Sequence, residues 1–490
     1  MADFYPPRRA RVLLFALVWL SAAWFGSWHW NPNSAVRLFA AISIVEDGDA
    51  TIDQFEHLTI DKARFADGYY LDKAPGMTLM AVPVVAVINL LTGDDQRGKL
   101  LDQSDPDLDR YIRLRQWAAA AIINATLLAL AATMLFAMGA DIARSPGAGL
   151  FGAVAFALGT PLWGWSTTLF GHAATVSLLT IAIALVWRGT QPGTAPGWRA
   201  AAAGSALGWA LVIEHSALLF ALPIGLWALW RMWPLAAPSR LRAIVDAVLA
   251  GSAALLPLLG YNMFAFGDPF TVGYSGVVGF DGMQQGLFGL TSPNMAALAE
   301  ILWGERRGML WVAPILVAAL PGLVVLWRGG RRDLVLLALA GTLAAFLYNA
   351  SYAYWDGGNS TGPRHAMPAV AFLAIGFAPA WSAAGRGGRA ALAALASLSI
   401  AINLMIASAE ITAPHDAPNQ LIDGVWALRF APGYLRTVPN EFFGTSPWTG
   451  LALWGVLAAT IFAALISITR LGSRANIYRT HGAARHPAEA

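Results

Sequence analysis

Carboxylates and cations crowd one stretch of this chain. It reads Val45-Glu-Asp-Gly-Asp-Ala-Thr-Ile-Asp53, then Thr59-Ile-Asp61-Lys62, then Asp67-Gly-Tyr-Tyr-Leu-Asp-Lys-Ala-Pro-Gly76. A carboxylate in such a group can take the proton of a hydroxyl. A lysine or arginine beside it can neutralise a phosphate. Any one of these acids alone reads as a solvated loop charge. The group reads differently, because apolar stretches on both sides hold it at a membrane surface.

Other segments add polar groups. Tyr354-Trp-Asp-Gly-Gly-Asn-Ser-Thr-Gly-Pro-Arg-His365 is glycine-rich and ends in an arginine at a helix start. That arrangement suits a phosphate, held by backbone N–H groups and Arg364; a tight turn between helices is the competing reading. The run Gly159–His172 puts His172 where a helix begins, as a site residue or a capping or core histidine. Glu214-His215 falls at a turn between two short apolar runs, where an ionisable pair is costly. Glu305-Arg-Arg-Gly308 offers Arg306 or Arg307 as anion contacts. The polar loop 408–447 would close over a site or select an acceptor. No H-E-x-x-H or D-x-D fixes a metal; a divalent ion on Asp72 and a histidine from another loop stays open.

The elements that must position these groups follow from composition. Hydrophobic residues make up 57% of the 490 and charged residues 12%, against roughly 45–50% and 25% in soluble domains. Mean hydropathy is +0.54. This excludes a cytosolic enzyme, a disordered or fibrous protein and a nucleic-acid binder, and indicates a polytopic membrane protein. With no cysteine, disulfides, Cys-ligated zinc and iron–sulfur sites are excluded. The 21 tryptophans suit the two membrane–water interfaces.

The chain opens with Arg8, Arg9 and Arg11 before an apolar run to Trp28, read as an uncleaved first span. Further apolar runs lie near 76–92, 116–138, 149–165, 172–187, 200–213, 216–230, 243–262, 310–327, 334–350, 366–381, 390–407 and 448–469. If 76–92 does not span, the inner segments after the first loop carry 15 Lys and Arg and the outer loops 5, as the positive-inside rule requires. The expectation is an all-α polytopic membrane protein of about twelve transmembrane helices. An amphipathic stretch at 36–46 would lie along the interface. Residues 1–30 form the tail and first span, 31–115 one outer loop, 116–407 the bundle, 408–447 a second outer loop, and 448–490 the last span and inner tail. The first outer loop holds 14 of the 29 acids.

The block 31–83 resembles the first outer loop of GT-C glycosyltransferases of the lipid A aminoarabinose transferase and protein O-mannosyltransferase group. Those enzymes carry a pattern like D-E-x-R-Y, then G-D-W, then G-x-x-Y-x-x-K-P-P-L. Arg37 matches the first arginine, Gly48-Asp49 the G-D step, and Gly68, Tyr70 (one position off), Lys73 and Pro75 the last block. Arg115 matches an arginine that opens the next span. The acid pair of the first motif falls on Ser34 and Ala35, so the group's base has no counterpart there. A GT-C-like subgroup with an N-x-x-S-R start is more similar still, through Asn31, Ser34, Asp53, Asp61, Asp72 and Lys73.

The resemblance implies a GT-C type fold and an inverting transfer of a sugar from a polyprenyl-phosphate donor. The acceptor would be a lipid or glycan at the periplasmic face of a bacterial inner membrane. Asp53 is the first choice of base, Asp61 the second and Asp49 the third. Lys73, Arg115 and Arg364 would hold the donor phosphate, and Asn31, Ser34, Arg37, Tyr70, Asp72, His172 and His365 complete the candidate site. No cofactor is fixed by the motifs. The alternative is a transporter or flippase of a lipid-linked glycan, which would place ionisable groups mid-span. A third reading, an O-antigen polymerase or ligase, would place arginines in a large late loop, where only Arg429 and Arg436 stand.

Overall fold

The computed structural model describes residues 4–483 except 27, 67 and 195, with side chains described to residue 470. Asp67 of the acidic run and residues 484–490 of the expected tail lie outside the described residues. The fold is all-α and polytopic. Among the described residues seven helices are long and apolar enough to cross a membrane, and five shorter apolar helices accompany them.

The chain enters through α1 (Arg8–Trp24) and turns into α2 (Pro32–Glu46). Asn31 caps α2 by accepting from the Asn33 amide, and Pro32 occupies the first turn, where a missing N–H costs nothing. Ser34 through Ser43 of α2 are all buried, and Ile44, Val45 and Glu46 half-buried, so protein encloses most of the stretch read as amphipathic. After it come a short 3₁₀ turn, Asp53–Leu58, and a hairpin of β1 (Ala63–Phe65) and β2 (Gly68–Tyr70). Ala66 at the turn of this hairpin has a left-handed φ.

The run 76–92 forms α3 (Gly76–Thr92), a helix of 17 residues with Pro83 inside it. Thr78 Oγ1 donates to the Arg37 carbonyl at 3.0 Å, fixing α3 to α2. Next, α4 (Pro106–Ala120) continues through a π-turn at Ala121–Ala125 into α5 (Thr126–Ala143). The π-turn exposes Asn124 Nδ2 to the carbonyls of Thr168 and Phe170, at 2.6 and 3.1 Å. That contact sets where a later helix begins, which matches the frequent placement of π-bulges beside functional groups.

The rest of the bundle is α6 (Pro146–Leu158), α7 (Leu162–Ser166), α8 (Gly171–Gly189), α9 (Trp198–Ile213), α10 (Ala217–Met232) and α11 (Ala237–Phe266), then α12 (Met295–Trp303), α13 (Met309–Val312), α14 (Ala319–Arg328) and α15 (Arg332–Ala350), then α16 (Pro368–Leu373), α17 (Phe377–Ala383), α18 (Arg386–Ala409), α19 (Val438–Phe443) and α20 (Pro447–Ala483). Small residues allow close crossings. A Cβ on Gly204 of α9 would lie 2.0 Å from the Ala247 carbonyl oxygen of α11, so only glycine fits there. Leu218, Leu222, Leu226 and Leu249 are exposed on the outside of the bundle, as suits a lipid-facing surface.

Candidate functional site

Four segments far apart in sequence converge at one end of the bundle. They are the loop 61–73, the start of α8, the turn between α9 and α10, and the glycine-rich loop 354–365. A cavity of about 110 Å³ lies beside the first and last of these, lined by Asn33, Asp61, Asp72, Lys73 and Arg364 and by Tyr274, Phe280, Tyr352 and Tyr354.

Lys73 is the hub. Its Nζ donates to Asp72 Oδ2 at 2.5 Å and lies 3.3 Å from Asp61 Oδ2. Asp72 is fully buried, and its second oxygen, Oδ1, has no partner. Burial pushes the Asp72 carboxyl up, against the pull of Lys73. Burial also works against the Lys73 charge, but the carboxylates of Asp61 and Asp72 outweigh it and hold the ammonium above the ordinary lysine range.

Arg37 reaches the site from α2. Its guanidinium donates to the Asn33 carbonyl at 2.7 Å and to the Asn33 side chain, and its Nη2 stands 3.5 Å from Glu214 Oε1. Glu214 also lies 3.8 Å from His172 Nδ1. Burial raises the Glu214 carboxyl, while Arg37, Lys73 and Arg364 pull it down. His172 packs edge-on against His365, with ring centroids 5.3 Å apart, and His365 against Tyr352 at 4.9 Å. Two buried nitrogens, Arg364 Nε and His365 Nε2, have no hydrogen-bond partner among the described residues. Burial pushes the Tyr352 phenol up to about 12.

The glycine-rich loop wraps Arg364. Gly357, Gly358 and Gly362 all have left-handed φ, and a Cβ on Gly357 would stand 3.0 Å from Arg364 Nε. Arg307 fastens this loop from beneath, donating to the carbonyls of Asp356 and Gly358 at 2.7 and 2.6 Å. Arg306 pairs with the Asp356 carboxylate at 3.1 Å. Both arginines, read in the sequence as anion contacts, are engaged by the loop itself.

The structure thus brings together Asp61, Asp72, Lys73, Arg37, His172, Arg364 and His365. It sets the others apart from this cavity. Asp53 is exposed, and its carboxylate accepts the Tyr69 amide at 2.6 Å. Asp49 is exposed and accepts the Thr51 amide at 2.9 Å in an Asx turn. Arg115 is fully buried but donates to Asn89, Tyr111 and Asp94, stacked on the Tyr111 ring. Tyr70 packs against Phe65 and Phe266. Asn31 is a helix cap, and Ser34 Oγ accepts the Leu169 amide at 3.3 Å. Asn33, Tyr352 and Glu214 join the site without a motif to announce them; the placement of Glu214 between two apolar runs was the one signal available. Among the described residues no group of three His, Asp or Glu side chains is placed to hold a metal ion, and the close partner of Asp72 is Lys73, not a histidine.

No family model matches the chain, and no curated protein is similar to it in sequence. Among solved structures the chain is similar to the crystal structure of ArnT from Cupriavidus metallidurans bound to undecaprenyl phosphate. The TM-score is 0.48 at 16% identity, covering 94% of this chain and 71% of that one. The apo state of the same protein gives a TM-score of 0.46 at 16% identity, covering 78% of this chain and 61% of that one.

Proposed function

We propose that this protein is an integral membrane glycosyltransferase of the GT-C type. It would move a sugar from a polyprenyl-phosphate donor onto a lipid or glycan acceptor, with inversion, at the periplasmic face of a bacterial inner membrane. The observation that carries the reading is Lys73 held between two carboxylates in a cavity that Arg364 also lines.

The two contacts of Lys73 are unequal. Asp72 is the tight partner and Asp61 the loose one. When the donor phosphate meets Lys73 and Arg364, Lys73 keeps Asp72 and yields its contact with Asp61. Asp61 is then free to take the proton of the acceptor hydroxyl. The acceptor oxygen forms its bond to the anomeric carbon as the bond from that carbon to the phosphate oxygen breaks. The electron pair leaves with polyprenyl phosphate, whose charge Lys73 and Arg364 neutralise. This reading moves the base from Asp53 to Asp61 and removes Arg115 from the phosphate site.

The test is a transfer assay in nanodiscs with a panel of radiolabelled polyprenyl-phosphate sugars and membrane lipid extract. Transfer by the wild type is expected, retained in Asp53→Asn and reduced by about 10²–10⁴ in Asp61→Asn, with donor binding weakened in Lys73→Ala. The absence of turnover with every donor of a complete panel would overturn the enzyme, and donor binding without turnover would favour a transporter of a lipid-linked glycan.

A further inference from the structure

The end of the bundle opposite the polar cavity carries a second cavity of a different kind. The helices α8 and α10 run away from the polar site, and α9 and α11 run back toward it. Residues near the end of α8, the start of α9, the end of α10 and the start of α11 therefore share the far end. They enclose a space of about 350 Å³ with only apolar surface, walled by Leu185, Ala203, Leu207, Leu222, Gly225 and Leu229. The wall is open toward the outside of the bundle, where Leu222 is 61% and Leu226 59% exposed.

At one edge stands Arg199. It lines this cavity and also a neighbouring cleft of about 300 Å³ shared with Tyr5, Arg188 and Asp141. Among the described residues neither Arg199 nor Arg188 makes an ion pair, whereas Arg231 nearby is bound to Asp333 at 2.8 Å. Asp141, the one carboxylate of the cleft, accepts from Trp187 Nε1 at 2.9 Å. An apolar chamber opening to the lipid side beside two guanidiniums that lie over aromatic rings, Arg188 over Tyr5 and Arg199 over Trp198, and make no ion pair among the described residues fits a molecule with an alkyl chain and an anionic head.

We infer that this crevice binds an anionic phospholipid, one acyl chain lying in the cavity between α9 and α10 and the headgroup phosphate on Arg199. The charge at the mouth selects the head, as basic pockets between membrane helices do, and the apolar volume takes the chain. Gly225 leaves room for that chain, since nothing lies within 4 Å of a Cβ built there.

The experiment is native mass spectrometry of the delipidated full chain after incubation with phosphatidylglycerol, phosphatidylcholine or a polyprenyl phosphate of matched concentration. The wild type is expected to retain phosphatidylglycerol about fivefold more than phosphatidylcholine, as one arginine contact would give. Arg199→Gln should abolish that preference. Gly225→Leu, which fills the chamber, should lower retention of both phospholipids, and Ala200→Leu on the facing wall does the same if Gly225→Leu fails to fold. Equal retention of the two phospholipids by the wild type would overturn the inference. So would unchanged preference in Arg199→Gln, unchanged retention in the folded filled variant, or a filled variant that loses retention of polyprenyl phosphate and not of phosphatidylglycerol.

Discussion

Gly171 has no side chain where Glu214 has its carboxylate: a Cβ at 171 would lie 2.4 Å from Glu214 Oε1. The glycine opens α8, so the carboxylate sits against a helix N-terminus, where the macrodipole favours negative charge. That position also places Glu214 between Arg37 and His172. Gly171→Ala is therefore expected to displace Glu214 and destabilise the protein by about 1–3 kcal/mol, the usual cost of overpacking. Thermal unfolding in detergent measures it. Adding Glu214→Ala to Gly171→Ala relieves the clash and should recover part of the lost stability; a double variant no more stable than Gly171→Ala alone would show that the contact does not set the cost.

Removing Lys73 leaves Asp72 buried without its cation. Breaking one side of a buried pair costs about 3–5 kcal/mol. Lys73→Ala should unfold at a markedly lower temperature than the wild type, and Lys73→Ala with Asp72→Asn should regain much of the difference while staying inactive. Stability regained together with transfer activity would show that Lys73 serves folding alone.

The helical runs and the crowding of acids in the first loop were legible because hydropathy and residue type report them directly. The ranking within the acids was not. Asp53, Asp49 and Asp61 look alike in sequence, and only the fold turns the first two outward into backbone hydrogen bonds and the third toward Lys73. The place of Arg115 was hidden for a related reason: its donors go to the carbonyls of Tyr111 and Asp94 and to Asn89, partners that depend on how α3 and α4 pack. Glu214 could be seen as unusual, but its partners come from α2 and α8, which no local pattern connects to it.

Arg115 and Lys73 should therefore separate in their effects. Arg115→Ala removes three hydrogen bonds at the α3–α4 joint and should lower the unfolding temperature. The folded fraction should keep the wild-type turnover number, because Arg115 lies away from the polar cavity. Turnover normalised to folded protein, compared between Arg115→Ala and Lys73→Ala, checks it. An equal loss in both would return Arg115 to the phosphate site.

The raised Asp72 carboxyl has a consequence for pH dependence. The folded protein binds this proton more tightly than the unfolded chain does, so the slope of stability with pH is negative between the two values. Native stability should fall as pH rises from the ordinary aspartate range through the raised folded value. Asp72→Asn removes the titrating group and should flatten that segment of the profile. Unfolding temperatures of wild type and Asp72→Asn in nanodiscs, followed upward in pH from the ordinary aspartate range, decide it; parallel profiles would remove Asp72 as the source.

Arg307 is a positioning residue for Arg364. It is fully buried and holds the carbonyls of Asp356 and Gly358, so it fixes the glycine loop that in turn encloses the Arg364 side chain. Arg307→Lys keeps the charge but has no planar fork to reach both carbonyls. It is expected to weaken donor binding, raising KM about tenfold, on the scale of 1–2 hydrogen bonds to a charged group. The turnover number should change little, because no reacting atom touches Arg307. Asp356→Asn removes the Arg306 ion pair but leaves the Arg307 contacts to the backbone carbonyls, so it should act more weakly. A fall in turnover without a change in KM for Arg307→Lys would place Arg307 in the chemistry and not in the scaffold beneath it.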